Sequence, residues 1–163
     1  MDVDLLWFVA HTRPRCEKKL ADYGQREGLD VTLPCYRSVH KYRGKTVSFQ
    51  KPLFPGYVFF RLLREQRQRV FQSDYTANLL DVVDQALFEA QLMDVLRALE
   101  TELEIQLAPK IGKGKRVKIL SGALRGVEGW VEERYGMSTV LLRVDFIAQA
   151  AAIKMEADQL ELI

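Results

Sequence analysis

Two histidines, His11 and His40, and two cysteines, Cys16 and Cys35, are the residues with the greatest potential for metal chemistry. Their order is symmetric, with four residues between His11 and Cys16 and four between Cys35 and His40. Zinc takes such a two-thiolate, two-imidazole set tetrahedrally. The close Cys-x2-4-Cys pairing of structural zinc sites is absent, however. Cys16 also falls on the apolar side of a helical pattern, where cysteine packs as a small hydrophobe. No metal and no cofactor is expected. Catalysis has as little support: there is no G-x-S-x-G, and Gly112-Lys113-Gly114-Lys115 is too short for a phosphate loop. The carboxylates concentrate after Phe88, where solvated helix faces account for them. No nucleophile, base and oxyanion donor assemble, so the expected role is binding and not enzymatic turnover.

Binding chemistry is concentrated elsewhere. Leu53 to Leu62 reads Leu-Phe-Pro-Gly-Tyr-Val-Phe-Phe-Arg-Leu, a strand rich in aromatic and branched residues. Phe54 and Tyr57 differ by an odd step and share a face only if Pro55-Gly56 forms a bulge or kink. With that bulge, Phe54, Tyr57 and Phe59 gather on an exposed concave surface, while Val58 and Phe60 face the core. Rings beside Arg61 and a basic hairpin suit either a hydrophobic protein groove or stacking on unpaired bases. A third signal is Gly122-Ala-Leu124-Arg-Gly126-Val-Glu-Gly129. Gly122 and Gly126 permit a tight turn, Gly129 relieves crowding in a bent barrel strand, and Leu124 is expected to plug the barrel end.

These groups need elements to hold them. The continuous apolar run from Leu5 to His11 predicts a buried strand. Pro14 is suited to the first turn of a helix carrying Cys16, Leu20, Tyr23 and Gly24 on one side, with Gly28 as its C-cap. Val31 to Leu33 predicts a second strand. The basic stretch Tyr36 to Lys51 predicts an extended hairpin turning at Arg43-Gly44-Lys45. A short charged helix over Glu65 to Phe71 and a strand over Leu79 to Val83 follow. Next comes an amphipathic helix from Phe88 to Leu107, with Leu92, Val95, Leu96, Leu99 and Leu103 on one stripe. Residues 108–114 interrupt structure and are the linker expected between residues 1–107 and 115–163. Beyond it, Arg116 to Leu120, Gly129 to Glu133 and Val140 to Phe146 predict a small all-β unit of five-stranded-barrel size.

The 163 residues carry a net charge of only +2, which hides a partition along the chain. Pro34 to Val70 holds nine basic residues against one acidic, and Asn78 to Ala108 seven acidic against Arg97 alone. Such asymmetry points one face toward a polyanion or acidic partner. No apolar run reaches the roughly 20 residues of a bilayer span and no signal-peptide pattern opens the chain. With two cysteines and no disulfide framework, a cytoplasmic monomer without membrane association is expected.

Taken in order, these segments resemble the NusG family of bacterial transcription elongation factors. Trp7-Phe-Val-Ala-His-Thr-Arg-Pro-Arg-x-Glu17 is similar to the family's opening strand and helix start. Lys51-Pro-Leu-Phe-Pro-Gly-Tyr-Val-Phe-Phe60 is similar to its central motif, and Val117 through Gly122, Leu124, Gly126, Gly129 and Val131 to its KOW motif. The resemblance implies an α+β chain: an N-terminal antiparallel sheet flanked by helices, a linker, and a C-terminal SH3-like β-barrel. It implies docking on the clamp helices of the RNA polymerase largest subunit through Phe54, Pro55, Tyr57 and Phe59, supported by Trp7. His11 and Arg13 would approach polymerase or upstream or non-template DNA, and Lys41, Arg43 and Lys45 are nucleic-acid-binding candidates on the hairpin. The barrel would recruit Rho or a small-subunit ribosomal protein through the Phe146 to Ile147 region. Transcription would then be modulated at pausing or termination.

The chain departs from the family at Asp74 to Val83, where the common Pro-Gly-Val turn is missing. The compact length and basic hairpin favour a specialised RfaH-type paralogue, although that group's H-T-T-T element is not recognisable around Gln68 to Phe71. In such paralogues the barrel can refold as helices, and Ala148 to Met155 has helical propensity. Val117 to Ile119 and Val140 to Val144 favour strand, so a resting barrel is expected. The competing expectation is a ribosome- or RNA-binding KOW-type module whose hairpin grips phosphates.

Overall fold

The computed structural model describes residues 4–108, 114–131 and 139–163. Contacts divide the chain into two compact units, Met1–Cys35 with Gln50–Phe88, and Tyr36–Phe49 with Glu89–Ile163.

The first unit is built on four antiparallel strands: β1 (Leu6–Thr12), β2 (Asp30–Thr32), β5 (Tyr57–Leu62) and β6 (Thr76–Asp81), in the order β2-β5-β1-β6. β1 is apolar from Leu6 to Ala10 because both its faces are covered there: Trp7, Phe8, Val9 and Ala10 are all buried. One face, with Phe8, Ala10, Val58, Phe60 and Leu62, packs on Leu20 and Ala21 of helix α1 (Glu17–Arg26) and Val70 of helix α2 (Arg67–Phe71). Gly24 lets α1 approach, since a Cβ there would stand 2.9 Å from the Phe60 ring. The helix ends with Gly28 in the left-handed region at φ 71°, just beyond the Glu27 C-cap. It begins later than Pro14 suggests. Arg15, at φ 58°, lies in a turn, and helical geometry starts only at Glu17.

The hairpin pairs β3 (Cys35–Tyr42) with β4 (Lys45–Pro52). Its turn centres on Arg43 and Gly44, at φ 46° and 80°, the two positive values of a type I′ hairpin; Lys45 already belongs to β4.

Pro55-Gly56 is not a bulge within one strand. The Tyr57 amide donates to the Phe54 carbonyl at 3.2 Å, and Gly56 stands at φ 88°. Proline followed by a positive-φ glycine is the order of a type II turn, and this turn ends β4 before β5 begins.

The C-terminal sheet has six strands in the order β12-β8-β9-β10-β11-β7, joined antiparallel. They are β7 (Ile105–Leu107), β8 (Lys115–Ile119), β9 (Glu128–Val131), β10 (Thr139–Val144), β11 (Gln149–Lys154) and β12 (Leu160–Leu162). The C-terminal region is therefore all-β, as expected, and the alanine run is a strand. Ala150, Ala151 and Ala152 are buried between β10 and β7.

The expected helix over Phe88 to Leu107 is corrected at both ends. Helix α3 spans Gln85–Leu99, and β7 pairs with β11 instead of extending the helix. β7 thus belongs to the C-terminal sheet, although a boundary after Leu107 assigns it to the N-terminal domain. Of the expected linker, Ala108 is buried, its amide donating to the Ala150 carbonyl at 2.9 Å, and residues 109–113 lie outside the described residues. Residues 132–133 of the expected strand through Glu133 lie outside them as well. No described helix is long and apolar enough to cross a membrane.

Candidate functional site

Pairing of β1 with β5 sets the geometry of the aromatic site. Val9 lies opposite Phe59 and His11 opposite Tyr57. Paired residues on antiparallel strands share a face, so Trp7, Val9, His11, Tyr57 and Phe59 line one side of the sheet. Phe54 joins them from the Pro55-Gly56 turn, its ring centroid 6.3 Å from that of Phe59.

Helix α3 brings the ring that closes this cluster. Phe88 meets Phe59 edge to face at 5.3 Å and Trp7 at 5.6 Å. Such pairs add about 0.5–1.5 kcal/mol each beyond the area they bury. The start of α3 is held in register by Gln85, whose side-chain amide reproduces a strand's ladder bonds. Its oxygen accepts from the Trp7 amide at 2.6 Å, and its nitrogen donates to the Trp7 carbonyl at 2.9 Å. Asp84 caps the same end, accepting from the Leu87 amide at 3.0 Å. One helical turn after Gln85, Phe88 falls over Trp7.

The expectation of an exposed concave aromatic surface is corrected here. Trp7, Phe54 and Phe59 are 5%, 1% and 0% exposed. Phe88, placed by a helix distant in sequence, occupies the space above them. What stays accessible is a rim: Pro55 and His11 are exposed, and Tyr57 is half-buried; Arg13, beyond the end of β1, is exposed as well. His11 and Tyr57 stack with centroids 5.3 Å apart and planes at 26°. The turn is fastened to the end of β1 by the Thr12 amide, which donates to the Gly56 carbonyl at 2.9 Å. A Cβ at position 56 would stand 3.5 Å from the His11 ring. The site is a buried ring base beneath a small rim of an imidazole, a phenol and a proline.

The hairpin candidates Lys41, Arg43 and Lys45 are all exposed. They are brought together on the ribbon and its tip.

The four candidate metal ligands, His11, Cys16, Cys35 and His40, have other neighbours. His11 stacks on Tyr57, Cys16 donates to the Pro14 carbonyl at 3.4 Å, and His40 Nε2 lies 3.0 Å from Ser38 Oγ within the hairpin. Burial pushes the Cys35 thiol pKa up, against the opposing pull of Lys18, which disfavours a thiolate ligand. Among the described residues no group of three or more His, Cys, Asp or Glu side chains gathers to hold a metal ion.

In the KOW-like segment, Gly122 and Gly126 stand at φ 84° and 89° in two successive turns that join β8 to β9. Leu124 between them is fully buried. At Gly129 a Cβ would meet Val140 Cγ1 at 2.6 Å and the Leu141 carbonyl oxygen at 2.8 Å, so β9 and β10 approach too closely for any side chain. Two further polar residues belong to this region. Arg97 of α3 donates to the carbonyls of Ala123 and Arg125 at 3.0 and 3.3 Å. Gln91 exchanges two hydrogen bonds with Asp145, its nitrogen donating to the carboxylate at 3.0 Å and its oxygen accepting from the Asp145 amide at 2.8 Å. Neither they nor Gln85 were among the sequence candidates. A lone glutamine or arginine on a helix carries no periodic signal of a partner tens of residues away.

Comparison with known proteins agrees with this architecture. The NusG family model, described as transcription termination factor nusG, matches residues 5–95. The transcription termination/antitermination protein NusG of Lactococcus lactis is 25% identical over 95% of this chain and 91% of its own length. Its counterpart from Rickettsia typhi is 25% identical over 78% of this chain and 73% of its own. A solved structure described as a domain interaction in Thermotoga maritima NusG shares the fold at a TM-score of 0.57. The two are 19% identical, with 98% of each chain covered. With more than half of its residues matched by the family model, this chain belongs to the NusG family of transcription termination factors.

Proposed function

We propose that the chain is a non-enzymatic transcription elongation factor that docks on the clamp helices of the RNA polymerase largest subunit and modulates pausing or termination. The observation that carries the reading is the rim of Pro55, Tyr57 and His11 above the Trp7, Phe54, Phe59 and Phe88 base, in a chain of this family. The buried rings hold the turn rigid, so docking does not have to order it, which lowers the entropic cost of binding. Tyr57, with an apolar body and a polar tip, suits the centre of such a contact. Arg13 and the hairpin cations Lys41, Arg43 and Lys45 face nucleic acid beside the polymerase, either upstream duplex or the non-template strand. The KOW unit, with Gly122, Leu124, Gly126 and Gly129 shaping one end and Phe146 to Ile147 another, recruits Rho or a small-subunit ribosomal protein.

The test is retention on intact polymerase. Phe59→Ala is a poor probe because the ring is core, and losing it would confound docking with folding. Tyr57→Ala combined with His11→Ala alters only the rim and is expected to weaken retention at least tenfold, with unchanged circular dichroism. Unaltered retention would remove the rim from the interface. The competing RNA- or ribosome-binding role differs in salt response, because phosphate contacts weaken steeply with salt while apolar docking does not.

A further inference from the structure

Helix α1 and the chain that follows it run side by side in opposite directions, and their facing side chains form rungs. The return is tight, with the Leu29 amide donating to the Gly24 carbonyl at 2.9 Å. The first rung is Gly24 against Val31, since a Cβ on Gly24 would stand 3.3 Å from the Val31 side chain. The second is Leu20 with Leu33, which packs on the core cluster that holds Leu20. Residues four apart share a side of a helix, and residues two apart share a side of an extended chain. The next position on the helix is Cys16, and the next on the extended chain is Cys35.

The rises agree with this pairing. Gly24 back to Cys16 is about 12 Å of helix. Val31 on to Cys35 is about 13 Å of extended chain. Pro34 keeps Leu33 extended, and the Pro34 carbonyl accepts from the Leu53 amide at 2.8 Å, so the chain stays straight into β3. The charges acting on the Cys35 thiol are those of Lys18 and Glu17, the residues directly after Cys16. Leu20 is fully buried, whereas both cysteines are free and only half-buried. The third rung is thus a dithiol at the open end of the helix–strand cleft, within reach of small thiols and disulfides in solution.

We propose that Cys16 and Cys35 form a reversible disulfide that ties the start of α1 to the residue where β3 begins, with a glutathione-type disulfide as the oxidant. Cys16 loses its proton to solvent and attacks one sulfur of the oxidant. The oxidant's S–S bond breaks, one small thiolate leaves, and Cys16 carries the other half as a mixed disulfide. Cys35 then gives up its proton and attacks the Cys16 sulfur, expelling the second small thiolate. The two thiolates take up two protons, and the protein dithiol loses the two electrons that the small disulfide gains. Burial disfavours the Cys35 thiolate, which fits it to the second step, where proximity offsets a low thiolate fraction. None of this depends on the polymerase reading.

In the experiment the full chain is equilibrated with graded ratios of reduced to oxidised glutathione, quenched in acid, alkylated and weighed by mass spectrometry. The expected product is about 2 Da lighter than the dithiol. It should form equally at low and high protein concentration, yield one cross-linked peptide pair holding Cys16 and Cys35, and revert with dithiothreitol. Cys35→Ser is expected to stop at a glutathione adduct on Cys16. Cys16→Ser should react about tenfold more slowly than Cys35→Ser, its remaining thiol being the one that burial keeps protonated. Equal rates would overturn the order of attack. If the wild type gives only glutathione adducts or intermolecular dimers at every ratio, the pairing itself is overturned. Hydrogen exchange tests the tie: amides of residues 35–37 should exchange about tenfold more slowly in the oxidised chain, with α2 unchanged. Unchanged exchange at 35–37 despite a formed bond would overturn the tie.

Discussion

The two sheets reach stability by opposite uses of side-chain volume. Every fully buried phenylalanine, Phe8, Phe54, Phe59, Phe60 and Phe88, belongs to the first unit. There β1 and β5 are covered on both faces, and large rings fill the space between sheet and helices. The buried positions of the C-terminal strands are valines, isoleucines, leucines and alanines, with Gly129 where even a methyl group has no room. Trp130, the large ring of that sheet, is only partly buried. It is flanked by the guanidinium groups of Arg116 and Arg143 at 5.1 and 4.4 Å. Removing volume should damage the first unit, whereas adding it should damage the second.

The largest effect is expected from Phe59→Ala. It empties a site bounded by Phe54 and Phe88 and should destabilise the protein by about 3–5 kcal/mol, read from the midpoint of urea unfolding. A cost under 1 kcal/mol would mean that the rings can collapse into the gap and that the packing is not specific.

Next comes Gly129→Ala, the reciprocal test. The added methyl would press on a backbone oxygen that has no rotamer to escape through, so a loss of about 2–3 kcal/mol is expected. Thermal unfolding at matched concentration measures it, and a neutral outcome would show that β9 and β10 can separate.

The smallest effect concerns charge instead of volume. Asp94 on α3 has its pKa raised, chiefly by burial and further by Glu128, with Arg97 pulling the other way. Its charged form is less favoured folded than unfolded. The penalty is therefore full above the raised folded pKa and disappears as pH falls below the ordinary carboxylate value. Asp94→Asn should stabilise the protein at neutral pH by no more than about 0.5 kcal/mol, since the group is partly exposed and water screens it. The gain should vanish in acid. A gain that persisted at low pH would trace to something other than ionisation.

Local signals in the chain were reliable where they depended on backbone chemistry. The unbroken apolar run of β1 foretold burial on both faces. Gly28, Gly122 and Gly126 marked left-handed positions, and Arg43-Gly44 marked the hairpin turn. Pro55-Gly56 was visible as an interruption, but one pair of residues fits a bulge and a turn equally well. Only the hydrogen bond from Tyr57 to Phe54 distinguishes them. The hairpin's basic charge was equally plain in the sequence. That His40, Tyr42 and Phe49 gather on one of its faces emerged only from the distances among them.

By itself, then, the sequence determined the family, the α+β class, the order of most strands along the chain and the residues around which a binding site could form. Tertiary structure alone decided which of those rings meet solvent. Phe88 lies 29 positions after Phe59 in the chain, yet it covers that ring and Trp7. The same holds for the alanine run, whose intrinsic preference is helical but whose small side chains suit a strand buried between β10 and β7. Propensity is a local free energy of a few tenths of a kcal/mol per residue. Burial and pairing across a sheet are larger and depend on partners that the local sequence does not name.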